Sequence, residues 1–177
     1  LWCDIADAYW PNNKKRSKLA PRNIRYSLES PAIRRVLNEL QEIDYHKFPN
    51  ATHDILRSFL ECALKAYFSQ IGQPVAPSGG KKYVYLNDVL DKFKNKMDIE
   101  KNIELSQITQ KVISEENMKS YTAQFLNATN HNPNIFATEQ DVENAWDLLE
   151  KLFRHILDPK EGRDEGDKPQ EKSEVSL

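Results

Sequence analysis

Apolar residues recur every three or four positions along most of this chain, a spacing that puts them on one face of an α-helix. The pattern is widest between residues 51 and 71, where it predicts a long helix that ends at Gly72. Its apolar positions are Ile55, Leu56, Phe59, Leu60, Ala63, Leu64, Tyr67, Phe68 and Ile71. Because this stripe is wide enough to contact several neighbours, we expect the helix to lie near the centre of the fold.

The same spacing predicts further helices at about 30–43, 85–97, 103–113, 114–129 and 139–156. Ser30 followed by Pro31 is typical of a helix start, and Thr138 with Asp141 resembles a capping box. Ser114 predicts the start of the helix at 114–129, the fifth in chain order when the long helix is counted. The chain has only 5 glycines, and strand-like alternation is hard to find. The predicted fold class is therefore all-α, a helical bundle of five or six helices.

Polarity divides the chain into three parts. Residues 1–29 read as an apolar-acidic stub followed by a basic linker, and residues 30–157 as the bundle domain. Residues 158–177 form a charged tail with few apolar positions, which we expect to be disordered. The opening "LWCDIADAYW" resembles the end of a preceding element. We therefore expect the chain to be the C-terminal part of a longer protein with an upstream domain.

Composition excludes several function classes. The 2 cysteines, Cys3 and Cys62, have no CxxC or CxxH neighbours, so no metal site and no cofactor is predicted. Cys62 falls in the apolar stretch of the long helix, where a free cysteine is usually a small buried hydrophobe. No apolar run approaches 18 residues, which argues against a membrane span. This cysteine usage favours a reducing, cytoplasmic location.

The net charge of −2 does not favour any class of binding partner, but the positive charge is concentrated near the start of the chain. A cluster of basic residues there is a candidate for contacts with nucleic-acid phosphates or an acidic partner. Its members are Lys14, Lys15, Arg16, Lys18, Arg22 and Arg25. No aromatic residues are interleaved as a stacking surface would require, so a solvated linker is the alternative.

The segment "FLNATNHNP" at residues 125–133 contains three asparagines and a histidine within six positions. Asn127 and His131 are four positions apart and share a face if the helix persists. A helix C-terminus also favours a protonated imidazole because of its free carbonyl groups. The alternative is a simple C-terminal cap, since asparagine tolerates left-handed geometry and Pro133 stops the helix.

This segment resembles the motif of the HEPN superfamily, helical bundles of prokaryotic defence and toxin systems. That motif is an arginine, a polar residue, three further residues and a histidine, and many members are metal-independent ribonucleases. Asn127 and His131 match its polar residue and its histidine, whereas Leu126 stands at the arginine position. A looser spacing would use Gln124, which is also uncharged. The resemblance implies that Asn127 and His131 are the candidate catalytic residues and that the stabilising cation is missing.

A second resemblance lies on the long helix, where Arg57 and Glu61 match an Arg-x-x-x-Glu pair that recurs in HEPN-type domains. A plain surface ion pair is the alternative. Together the two motifs extend the resemblance over residues 51–157. The segment 19–68 is also similar to bacterial defence proteins that carry a ParB-like N-terminal domain.

Three functions are compatible with these features. The first is a non-catalytic interaction domain, because the resemblance implies a homodimer and loss of the arginine argues against catalysis. The second is a metal-independent endoribonuclease in which His131 works with a cation from elsewhere, such as Lys119 or Arg154. The third is binding of RNA or DNA through the basic residues between 14 and 25. We expect the first, and an absence of enzymatic activity in this domain by itself.

Overall fold

The computed structural model describes residues 16–77, 80, 82–114 and 119–159. Regular secondary structure in these ranges is entirely α-helical, which confirms the predicted all-α bundle of five or six helices. The helices are α1 (Pro31–Glu42), α2 (Pro49–Gln70), α3 (Leu86–Ile99), α4 (Ile103–Ile113), α5 (Ala123–His131) and α6 (Glu139–Leu157). Among the described residues no helix is both long and apolar enough to cross a lipid bilayer.

Local side-chain chemistry sets several helix ends where the sequence predicts them. The Ser30 hydroxyl accepts a hydrogen bond from the backbone N–H of Ile33, which caps α1. Thr138 and Asp141 form the predicted capping box at the start of α6. After α2 the chain turns at Gly72, whose φ of 73° is the left-handed geometry that glycine adopts without strain.

The core is built around α2, which contacts α1, α3, α5 and α6. Aromatic rings fill its centre: the Phe59 ring lies 4.9 Å from that of Phe153, and Trp146 stacks on Phe153 at 5.4 Å. All three of these side chains are at most 1% exposed. The prediction that the long helix is central is therefore confirmed. Cys62, which the sequence predicts to be a small buried hydrophobe, is instead exposed and does not belong to the core.

The predicted start of the fifth helix is wrong. Ser114 is the C-terminal cap of α4, where its N–H donates to the carbonyl of Gln110 at 2.9 Å, and residues 119–122 are not helical. The helix begins instead at Ala123, where the Thr122 hydroxyl accepts from the N–H of Phe125. The helix that carries Asn127 and His131 is therefore short, at 9 residues.

The core also extends in front of α1. Residues 16–29, which the sequence pattern assigns to a linker, contribute four buried side chains to the bundle: Leu19, Ala20, Ile24 and Leu28. Ser27 joins this segment to the end of α6, because its N–H donates to the carbonyl of Leu157 at 2.8 Å and its hydroxyl to Asp158 at 2.6 Å. Residues 1–15 and the predicted tail from 160 onward lie outside the described residues.

Candidate functional site

Asn127 and His131 lie on one face of α5 and border the same solvent-open cavity of about 330 Å³. This confirms the prediction that the two side chains share a face. His131 is exposed in the last turn of the helix. The cavity combines amide groups with small apolar side chains, and its lining residues are Asn87, Ile113, Ala123, Gln124, Asn127, Ala128 and His131.

Leu126, at the position of the motif arginine, points away from this cavity. Its side chain is 0% exposed and belongs to the hydrophobic core. An arginine at this position would face the bundle interior and could not reach a phosphate held beside His131. Gln124, the alternative position at looser spacing, does border the cavity, but it carries no charge.

A guanidinium nevertheless contacts the motif, and it comes from α2. The Nε–H of Arg57 donates to the Asn127 Oδ1 atom at 2.7 Å, and Nη2 lies 3.4 Å from Glu61 Oε2. Lys65 Nζ lies 2.5 Å from the other oxygen of Glu61 and donates to the carbonyl of Val84 at 2.8 Å. We call Asn127, Arg57, Glu61 and Lys65 the polar ladder.

The polar ladder ties α2 to α5 and to the segment before α3. The predicted pairing of Arg57 with Glu61 is confirmed, and their side chains are only 22% and 18% exposed. The positive charge of Arg57 is therefore compensated within the protein, and its Nε–H is already used by Asn127. This arrangement makes Arg57 a structural connection between helices rather than a free cation at the cavity.

His53, one turn before Arg57 on α2, is a polar contact that motif reasoning missed. It is 0% exposed, and its Nε2–H donates to the carbonyl of Ser120 at 3.0 Å. Since a carbonyl cannot donate, Nδ1 is left to accept from the Thr129 hydroxyl at 3.2 Å. Burial lowers the pKa of this ring, which keeps it neutral. A single histidine without a metal-ligand spacing gives no sequence signal for such a role.

The cations predicted as replacements for the motif arginine lie elsewhere. Lys119 precedes α5, whereas His131 is its last residue, and nine helical residues span about 13 Å. Arg154 on α6 pairs with Glu150 at 2.7 Å and donates to Asn23 at 3.2 Å. Neither side chain borders the cavity that contains His131.

The basic cluster is only partly within the described residues. Lys14 and Lys15 fall outside them, and Arg25 is exposed. Arg16 forms an ion pair with Asp147 on α6 at 2.7 Å. The contact holds the segment before α1 against α6, so part of the positive charge predicted for phosphates has a partner within the fold.

Two further members of the basic cluster share one carboxylate. Arg22 Nη2 lies 2.6 Å from Glu42 Oε1, and Lys18 Nζ lies 3.7 Å from Glu42 Oε2. All three side chains are well exposed, so these ion pairs add little stability. They reduce the positive potential that a nucleic acid would meet at this surface, and none of these residues borders the cavity of His131.

In the part of the chain that the structure describes, no three histidine, cysteine or carboxylate side chains are grouped so that they could hold a metal ion. No protein-family model matches this sequence, and neither a curated protein nor a solved structure is similar enough to count as a match. The resemblance to HEPN domains therefore stays a prediction that rests on the residues themselves.

Proposed function

We propose that this domain is a non-catalytic interaction module that associates with a second copy of itself. The observation that carries the proposal is the internal use of the motif. Leu126 is buried in the core, and Asn127 holds Arg57, which in turn pairs with Glu61. With Leu126 and Asn127 committed to helix packing, these two motif positions support the fold, and we assign the function to the exposed surface.

Two isoleucines at the turn between α3 and α4 are the most exposed large apolar side chains in the described part of the chain. Ile99 is 82% and Ile103 70% exposed. The turn between them is held by backbone hydrogen bonds, including that from Asn102 N–H to the Met97 carbonyl at 2.9 Å. The Asn102 side chain also caps α4. A pair of apolar side chains on so fixed a turn loses little conformational freedom on binding.

Charges of both signs surround this isoleucine pair. Glu100 and Lys101 lie between the isoleucines in the chain, and Glu104 follows them. In a two-fold symmetric contact each surface meets itself, so a self-complementary charge pattern is required. A two-fold axis through the isoleucines would allow Lys101 of one copy to face a glutamate of the other. For this reason we assign the surface to self-association rather than to an unrelated partner.

Replacing both isoleucines, as in Ile99→Lys with Ile103→Ser, should weaken self-association at least about a hundredfold. Each buried isoleucine contributes about 1.5–3 kcal/mol, and a symmetric contact buries both residues on each copy. Sedimentation velocity over a concentration series measures the effect. The matched control replaces two other exposed apolar side chains, Phe48→Ser with Phe136→Ser, and should leave association unchanged.

Two outcomes separate the parts of this proposal. A domain that stays monomeric up to high micromolar concentration would contradict self-association altogether. A dimer that survives the isoleucine replacements would contradict only the assignment of its surface. Thermal unfolding of each variant should match the original protein, since all four replaced side chains are exposed.

A metal-independent ribonuclease is the second candidate, and one observation favours it. Asn127 and His131 border the same open cavity, and the Arg57 guanidinium touches Asn127. Cleavage of RNA develops negative charge on the phosphate, and loss of one stabilising donor typically costs a hundredfold or more in rate. Because Glu61 already pairs with Arg57, we expect that stabilisation to be absent.

We therefore expect negligible cleavage when the purified domain is incubated with single-stranded RNA. Product formation should be the same for the original protein and for His131→Ala, since neither supplies the missing cation. Denaturing gel electrophoresis of end-labelled RNA measures this. Cleavage that disappears specifically in His131→Ala would replace the interaction proposal with the ribonuclease candidate.

A further inference from the structure

Two neighbouring residues in the connection between α1 and α2 contact the backbone of the segment before α1. The Tyr45 hydroxyl lies 2.8 Å and the His46 Nε2 atom 3.0 Å from the carbonyl oxygen of Arg16. Each ring also reaches a carboxylate on α6. Tyr45 Oη lies 2.6 Å from Glu143 Oε1, and His46 Nδ1 lies 2.8 Å from Glu139 Oε2. The two rings therefore join three parts of the chain.

Both nitrogens of the His46 ring face oxygen atoms that can only accept. A backbone carbonyl has no hydrogen to donate, and an ionised carboxylate has none either. Only the doubly protonated imidazolium can serve the Arg16 carbonyl and Glu139 together. A neutral ring carries one N–H, so one of the two short contacts would place a nitrogen lone pair against an oxygen.

Tyr45 cannot take over the contact with the Arg16 carbonyl. Its hydroxyl carries one hydrogen for two acceptors, and the shorter contact is the one to Glu143. Burial, reinforced by the hydrogen bond to Glu143 and its negative charge, raises the pKa of Tyr45, so that this hydrogen stays in place at neutral pH. The Arg16 carbonyl therefore depends on the His46 Nε2–H for a hydrogen bond from a side chain.

Charges on every adjoining element favour a cationic ring at this position. The first turns of α6 present three carboxylates here, Glu139 and Glu143 against the rings and Asp147 against Arg16. The segment before α1 supplies one cation, Arg16. In the connection itself, Asp44 and Lys47 pair with each other at 3.4 Å. Among the described residues, three carboxylates of α6 therefore face one cation, and protonation of His46 adds a second.

We propose that His46 is a proton-operated clamp, which in its charged form holds the backbone at Arg16 against α6 and in its neutral form holds it less tightly, with the Arg16–Asp147 ion pair still in place. The inference is independent of self-association and of any chemistry at His131. Opening is confined to the start of the described segment, because Leu19 and Ala20 remain buried beyond it. The clamp therefore acts on the backbone between Arg16 and Lys18.

The sign of the pH dependence follows from the charged form. The doubly protonated ring makes both contacts only in the clamped state, so the clamp is closed at low pH and opens as the pH rises through the titration of His46. Nitrogen-15 NMR of the histidine rings in the complete chain reports the protonation state directly. Hydrogen exchange of the Ser17 and Lys18 amides, corrected for intrinsic base catalysis, reports opening of the segment.

We expect exchange of these amides to increase at least about threefold in step with deprotonation of His46. Glu139→Gln should remove this step, and His46→Gln should give fast exchange at all pH values. His131→Gln, which replaces an exposed histidine elsewhere, should behave as the original protein. A His46 ring that is singly protonated at mildly acidic pH would overturn the proposal. So would amide exchange that does not respond to the titration of His46 in a chain shown by circular dichroism to be folded.

Discussion

Restoring the motif arginine by Leu126→Arg should unfold the domain rather than produce a nuclease. The side chain at position 126 is 0% exposed and lies in the apolar core, where a guanidinium would have neither water nor a counter-charge. An uncompensated charge in a core costs at least about 3–5 kcal/mol, which is a large part of the stability of a typical domain. Urea unfolding followed by circular dichroism measures the loss.

The matched control places the same residue on the other side of the helix. Gln124 is exposed and borders the cavity, so Gln124→Arg should change stability by less than about 0.5 kcal/mol. This variant also puts a cation on the face that carries Asn127 and His131. If Leu126→Arg were as stable as Gln124→Arg, position 126 would not face the core and the orientation of α5 described above would be wrong.

Phe59→Ala should destabilise the domain by about 3–5 kcal/mol, the cost of removing a fully buried phenylalanine and leaving a cavity. Phe59 is 1% exposed at the centre of α2 and packs on Phe153 of α6. Its exposed neighbour in the same helix provides the control, since Ser58→Ala should change the free energy of unfolding by less than about 0.5 kcal/mol. A loss below about 1 kcal/mol for Phe59→Ala would contradict the central position of α2.

The helices could be predicted from the sequence because their signals are local. Apolar spacing placed α2 and α6, and capping chemistry at Ser30 and Thr138 placed the starts of α1 and α6. The start of α5 was missed because Ser114 also fits the other end of a helix, where it caps α4. The packing of residues 16–29 was missed because their apolar residues follow neither a helical nor a strand period.

For the candidate site, the shared face of Asn127 and His131 could be predicted from the sequence, but its long-range contacts could not. The spacing of Asn127 and His131 is enough to put them on one face, and the same periodicity turns Leu126 about 100° away from Asn127. The contact between Arg57 and Asn127 joins residues 70 positions apart, so no local sequence pattern predicts it. Likewise, the apolar surroundings that lower the pKa of His53 exist only once α2 and α5 have packed.

The contact between Ser27 and the end of α6 has a consequence for synthesis of the chain. Ser27 and Asp158 are 131 positions apart, so this contact closes almost the whole described chain into one loop. At about 5–20 residues per second, a ribosome needs about 7–26 s to make that intervening length. Throughout this interval the segment that carries Ser27 lacks its contacts with the end of α6. The first described residues to leave the ribosome are thus among the last to reach their final environment.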